Sequence, residues 1–145
     1  MDENVSPCSL RNLDHVCIAV QSIRDTLTLY QSLFDIEVGP LEEIADQGVL
    51  ACLIQVGHSR LELIEPTDPN GSIGRFIERR GDALHHVAFE VDNISQRLSE
   101  FQERGVSLID QSPRQGAAGT IGFLHPKATG GVLFELVERD IYDEQ

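Results

Sequence analysis

The sequence predicts an α+β protein made of two tandem βαβββ modules, residues 11–66 and 82–139, joined by a linker at 67–81 that carries a short helix. Three observations predict it. The segment LDHVCIAV at 13–20 returns as LHHVAFEV at 84–91, displaced by 71 residues. The apolar stripe Ile23, Leu27 and Tyr30, spaced as one face of a helix, returns at the same displacement as Ile94, Leu98 and Phe101. Near the end of each half, Leu61-Glu62-Leu63 matches Phe134-Glu135-Leu136 at a displacement of 73. A repeat that preserves strand pattern and helix face together is one supersecondary unit used twice. Two such units are expected to form a curved, partly closed mixed sheet around a cleft.

Each element has its local reason. The alternating run at 13–20 is a strand, and Ser22 with Asp25 three residues on marks a helix start. Strands follow at 36–43, 49–56 and 59–65, separated by turn residues. The run Pro66-Thr67-Asp68-Pro69-Asn70-Gly71 is a linker. Ser72 then caps a short helix with Ile73, Phe76 and Ile77 on one face before Gly81. In the second module the strand at 84–91 leads to Asn93 and Gln96 as helix cap and partner, Gly105 ends the helix, and strands are expected at 106–110, 120–125 and 132–138. The glycine-rich run Gly116–Gly122 leads into a strand, so a phosphate-binding loop fails on context and a mobile loop over a ligand is expected.

A chain of 145 residues is long enough to bury one sizeable core, and a single domain over 11–139 accounts for it. Its net charge of −13 repels phosphate backbones and anionic lipid headgroups, which excludes nucleic acid and membrane surfaces as partners. The apolar run at 48–57 is far too short to span a bilayer, and the first ten residues carry two acids and no base, unlike a targeting segment. Three cysteines, Cys8, Cys17 and Cys52, are odd in number and lack paired metal spacing, so thiols in a reducing cytoplasm are expected, with Cys17 and Cys52 in the core.

Side chains alternate across a strand, so Val16, Ile18 and Val20 share one face while His15, Cys17 and Ala19 share the other. If the bulky face packs on a helix, His15 is left on the opposite side, and the same logic applies to His86. Glu62 and Glu135 are each flanked by apolar residues and leave the apolar face of their strands in the same way. Four groups in symmetric pairs, His15, Glu62, His86 and Glu135, then line one side of the sheet. Two imidazoles and two carboxylates suit a divalent ion such as Co²⁺, Ni²⁺, Mn²⁺ or Zn²⁺. His85 points to the other face and reads as structural or exposed, and His58 sits in a solvated turn. Lys127, the only lysine, is compatible with an anion contact.

With these residues in view the chain resembles the vicinal oxygen chelate superfamily, and within it the methylmalonyl-CoA epimerase branch. The resemblance rests on LDHVCIAV, EEIADQGV at 42–49, LELIEP at 61–66, LHHVAFEV and FLHPKATGGVLFELVE at 123–138, the last being the most specific. It implies the same four metal ligands, a cobalt-type divalent ion, an acyl-CoA substrate and a homodimer. The implied reaction interconverts (2R)- and (2S)-methylmalonyl-CoA by a 1,1-proton shift through an enolate, which needs charge stabilisation and a base on each face. Asp46, before Gln-Gly-Val, and Glu135 correspond to the two bases, although the branch usually has glutamate where Asp46 stands. The phosphates of coenzyme A need local cations in so acidic a protein, and Arg114 and Lys127 flank the glycine run.

Two other readings follow from the same fold. A glyoxalase I-type lactoylglutathione lyase shares the ligand set, but no additional basic motif for glutathione is present. A noncatalytic binding protein of this superfamily would need neither the full ligand set nor an acid at 46. An extradiol dioxygenase needs only two histidines and one carboxylate, so Glu62 counts against it.

Overall fold

The computed structural model describes residues 6–117 and 119–140; the acidic extreme N-terminus and Ala118 of the glycine run lie outside the described residues. In chain order the elements are β1 (Asn12–Ala19), α1 (Ile23–Leu33), β2 (Glu37–Ile44), β3 (Val49–Val56), β4 (Ser59–Pro66), α2 (Ser72–Arg80), β5 (Ala83–Glu90), α3 (Ile94–Glu103), β6 (Arg114–Gly116), β7 (Gly119–Leu124) and β8 (Phe134–Glu138). Turns of 3-10 helix lie at Ala45–Gln47 and Pro126–Ala128. The pattern is βαβββ, a linker helix, then βαβββ again, and the class is α+β. Among the described residues no helix is long and apolar enough to cross a membrane. The chain divides into two compact units, Asp14–Ala88 and the stretch from Phe89 onward together with the segment before Asp14.

In the first unit β3 pairs antiparallel with both β2 and β4, and β4 pairs in parallel with β1. The helix α1 lies over them, burying Ile23 with Val20, Cys52, Ile54 and Leu63, while Ile18, Leu27 and Tyr30 pack around the edge. Both the bulky face of β1 and the stripe of α1 therefore meet as the alternation requires. The start of α1 is held twice. Ser22 Oγ accepts from the Asp25 N–H at 3.1 Å, and Glu65 Oε1 accepts from the Ile23 N–H at 2.8 Å. The linker helix begins one residue earlier than its serine suggests. Gly71 is the cap, its carbonyl taking the Arg75 N–H at 3.0 Å, and the side chain of Ser72 makes no cap bond.

In the second unit β7 pairs antiparallel with β6 and β8. Here α3 buries Ile94 and Leu98 against Val91, Leu124 and Leu136. Its approach to β7 is close. A Cβ on Gly122 would stand 2.8 Å from Leu98 Cδ1, so any larger residue there would require the buried Leu98 side chain to shift. The helix ends as expected at Gly105, with φ of 76°; its N–H bonds the Gln102 carbonyl and the Val106 N–H bonds that of Phe101. This pair of bonds is the usual glycine-terminated stop.

Three local expectations for this unit are corrected. Residues 106–110 form no strand, only an isolated bridge between Leu108 and Leu124. The Phe123 carbonyl is shared by the Ile109 and Asp110 N–H groups, and the Asp110 carboxylate takes the Phe123 N–H at 2.8 Å, so a side chain interrupts the ladder. Among its described residues the glycine run is mostly strand rather than loop. Arg114–Gly116 and Gly119–Leu124 are paired strands, and a Cβ on Gly119 would meet the Glu138 carbonyl oxygen at 2.5 Å. Those glycines serve close backbone approach. Finally, Asn93 is the cap of α3, in the left-handed region at φ 44°, with its carbonyl taking the Arg97 N–H at 3.1 Å and its side chain donating to Gln96 Oε1 at 2.9 Å, but its side chain bonds no helical N–H; Glu138 Oε1 takes the Ile94 N–H at 2.8 Å instead.

The two caps are therefore equivalent. Glu65 and Glu138 each follow the repeated strand glutamate by three residues, and each accepts from the first N–H of its own module's helix. A carboxylate at a helix N-terminus satisfies an orphan donor and meets the positive end of the dipole. Glu65→Ala and Glu138→Ala are each expected to cost about 1–2 kcal/mol of folding stability. Urea unfolding checks this: the midpoint falls with an unchanged slope, and Glu65→Gln, which keeps an acceptor without the charge, recovers part of the loss.

Candidate metal centre

The register of β1 on β4 aligns Cys17 with Glu62, which puts the Glu62 side chain on the same sheet face as Cys17 and, two residues earlier, His15. His86 comes from β5. These positions bring two imidazoles and one carboxylate together inside the first unit. His15 Nε2 lies 3.3 Å from His86 Nε2 and 3.5 Å from Glu62 Oε1, and His86 Nε2 lies 3.7 Å from the same oxygen. All three are buried: His15 is 0 %, His86 6 % and Glu62 7 % exposed.

These spacings fit a metal ion. Donors about 2.1 Å from a common first-row divalent ion stand roughly 3.0 Å apart when cis in an octahedron and roughly 3.4 Å apart in a tetrahedron. The observed separations of 3.3 to 3.7 Å match or slightly exceed that range, and they are longer than a good hydrogen bond between the same atoms. Burial pushes His86 down to about 4, with nearby Glu62 acting in the opposite sense and His15 in the same one. It is thus neutral at physiological pH, the form that offers a lone pair.

His15 is held from behind. Its Nδ1 donates to Asp14 Oδ2 at 2.6 Å, since an ionised carboxylate can only accept, and this leaves the lone pair on Nε2. Asp14 is itself 0 % exposed and takes two hydrogen bonds from Arg60 Nη2, at 3.0 and 3.1 Å. The chain of contacts runs from Arg60 through Asp14 to His15, with the guanidinium pairing the carboxylate. His85, expected on the far face, instead turns its half-buried ring onto its neighbour: His85 Nδ1 is 2.8 Å from His86 Nδ1. Burial, with His86 and Arg80 adding to it, lowers His85 to about 4 as well.

The other expected site residues lie as follows. Glu135 is buried in β8, 3 % exposed, in the second unit. Asp46 is exposed on the 3-10 turn Ala45–Gln47, which Gly48 ends in the left-handed conformation. Lys127 is exposed on the turn Pro126–Ala128, whose cap is His125 accepting from the Lys127 N–H at 3.0 Å. Arg114 is half-buried, with Nε 3.2 Å from Asp110 Oδ1 and its guanidinium 5.6 Å from the centre of the Phe123 ring. His58 is exposed, and Cys17 and Cys52 are buried thiols. Sequence reasoning missed Asp14, Arg60, Glu65 and Glu138. The two glutamates carried a usable signal, because they repeat at the displacement of 73 that had picked out Glu62 and Glu135.

Residues 14–123 match the model of the Glyoxalase/Bleomycin resistance protein/Dioxygenase superfamily. The chain is 39 % identical over 130 residues to the uncharacterized protein YqjC of Bacillus subtilis, covering 89 % of this chain and 93 % of that one. It is 32 % identical to the ethylmalonyl-CoA/methylmalonyl-CoA epimerase of Cereibacter sphaeroides, covering 86 % and 95 %. A solved structure of Streptomyces coelicolor methylmalonyl-CoA epimerase in complex with 2-nitronate-propionyl-CoA superposes with a TM-score of 0.86 at 32 % identity, covering 92 % and 97 %. The repeated modules, the histidine and carboxylate cluster and these similarities lead to one assignment: the chain belongs to the glyoxalase/bleomycin resistance protein/dioxygenase superfamily.

Proposed function

We propose that the chain is a methylmalonyl-CoA epimerase, an isomerase that inverts the carbon between the carboxylate and the thioester by moving a proton from one face to the other. The observation that carries this reading is the buried trio of His15, Glu62 and His86, whose donor atoms lie at the spacing of a divalent ion's ligands. The similarity to named epimerases supports the choice of substrate. Glu135 is the fourth ligand in this reading, as the repeat equivalent of Glu62. When bound, an ion such as Co²⁺, with Ni²⁺, Mn²⁺ and Zn²⁺ as other candidates, supplies a Lewis acid for the negative charge that grows on oxygen as the C2 proton leaves.

The chain's own groups do the proton work. An Asp46 carboxylate oxygen takes the C2 proton on one face, the C–H pair moves into the thioester carbonyl, and a Glu135 oxygen returns a proton to the opposite face; the reverse direction exchanges the roles. A base with a short reach is sensitive to placement, and the aspartate at 46 has one methylene fewer than a glutamate. Exposure of Asp46 on a turn ended by a left-handed glycine supports a role that meets substrate from the solvent side. Lys127 and Arg114 are proposed contacts for the coenzyme A phosphates. Residues 11–139 are proposed to act as one domain, in a cytoplasmic homodimer.

Two experiments test this. In D₂O with methylmalonyl-CoA, the C2 proton is expected to exchange when a divalent ion is supplied and to stop exchanging after chelation. Exchange on a hemithioacetal of glutathione instead would favour the lyase reading. Asp46→Ala is expected to lower turnover by about 10²- to 10⁴-fold while the metal content stays that of the native protein; undiminished turnover would remove Asp46 from the reaction.

A further inference from the structure

The residue before each repeated histidine is itself part of the repeat: Asp14 precedes His15, and His85 precedes His86. Both turn back onto the Nδ1 of the histidine that follows, Asp14 Oδ2 at 2.6 Å and His85 Nδ1 at 2.8 Å. On the opposite edges of the two rings, the Nε2 atoms face each other at 3.3 Å beside Glu62. The two modules therefore share one device, a ligand ring gripped at Nδ1 by its predecessor, with different chemistry in the grip.

That difference decides where the protons sit. A carboxylate accepts only, so His15 has no choice but to carry its proton on Nδ1. Two imidazole nitrogens at 2.8 Å can share a proton in either sense. Only one sense gives His86 a lone pair on Nε2: the His86 Nδ1–H donates, the His85 Nδ1 accepts, and the proton of His85 is on its Nε2. The ring of His85 is held for this by the linker helix. Phe76 of α2 meets it edge to face with centres 4.9 Å apart, and the Arg80 guanidinium lies 5.2 Å from the centre of the Phe76 ring.

We propose that His85 is a positioning residue that fixes the tautomer and pose of His86, doing in the second module what Asp14 does in the first. The purpose of the grip rests on the metal-binding reading. A neutral imidazole accepts less strongly than a carboxylate, so His86 is the less electron-rich of the two ligands and the one that gives up the ion first. The linker helix, which has no counterpart in the repeat, acquires a role as the support behind His85.

Nitrogen NMR of the histidine-labelled protein titrated with Zn²⁺ tests this directly. His86 is expected to bind zinc through Nε2 with a protonated Nδ1, and His85 to show an unprotonated Nδ1. Zinc bound to His86 Nδ1 together with Cys17, whose sulfur lies within 4.8 Å of the donor atoms of both His85 and His86, would overturn the positioning role alone. Zinc that moves the signals of neither His15 nor His86 would overturn the metal-binding reading as well, a distinct pattern. Zinc affinity gives a second readout. His85→Phe, which keeps an aromatic ring against Phe76 but offers no acceptor, is expected to bind zinc about 10- to 100-fold more weakly with an unchanged urea midpoint, and His85→Asp to bind it at least as tightly as the native chain. Equal affinity in all three would contradict the proposal.

Discussion

Two imidazoles and a carboxylate packed within 3.7 Å of one another, with almost no access to solvent, are the constraint on which the rest of this structure depends. Buried polar groups are costly unless their partners are in place, and a half-satisfied cluster is worse than an apolar one. Much of the first unit can be read as the means of keeping these groups in place. Parallel pairing of β1 with β4 sets Glu62 on the face of His15, and the bonds that Asp14 accepts from Arg60 and from His15 Nδ1 fix one ring and its proton. The core on the other side of the strands, from Val20 to Leu63, holds the register against a slip that would turn His15 and Glu62 away from the cluster.

The same strands also hold the helices. Glu62 faces the cluster and Glu65, three residues on, reaches the first N–H of α1; in the second module Glu138 does the same for α3. In the first module one short motif thus supplies a carboxylate to the cluster and a carboxylate to the cap. Spacing of three puts the two groups on opposite strand faces, which is why a single strand can serve both. Site and scaffold are coupled through this motif, since a shift of β4 that moved Glu62 would also pull Glu65 from its helix.

The repeat made most of this legible from sequence. Strand and helix positions, the helix stripes, the Gly105 stop and the histidine and glutamate pairs all follow from period and displacement, because those patterns are set by local geometry. The misreadings have a common cause. Ser72 has the right residue type for a cap, yet Gly71 took its place, and at Asn93, which does cap α3, the first helical N–H goes to a glutamate of β8 rather than to the asparagine side chain. The glycine run looked like a loop because composition does not distinguish freedom from close approach. Gly119 and Gly122 are where a backbone carbonyl and Leu98 press in. His85 was assigned to the far face by alternation, which describes where a Cβ points and not where a ring ends.

The two copies depart from symmetry behind the paired histidines, with a carboxylate behind His15 and an imidazole behind His86, and Asp46 stands on a 3-10 turn of the first module. Anomalous diffraction from crystals of the protein loaded with one equivalent of Co²⁺ tests the central claim most directly. A single peak within bonding distance of His15 Nε2, His86 Nε2 and Glu62 Oε1 is the predicted result, and cobalt bound elsewhere, with these three atoms unliganded, would contradict it.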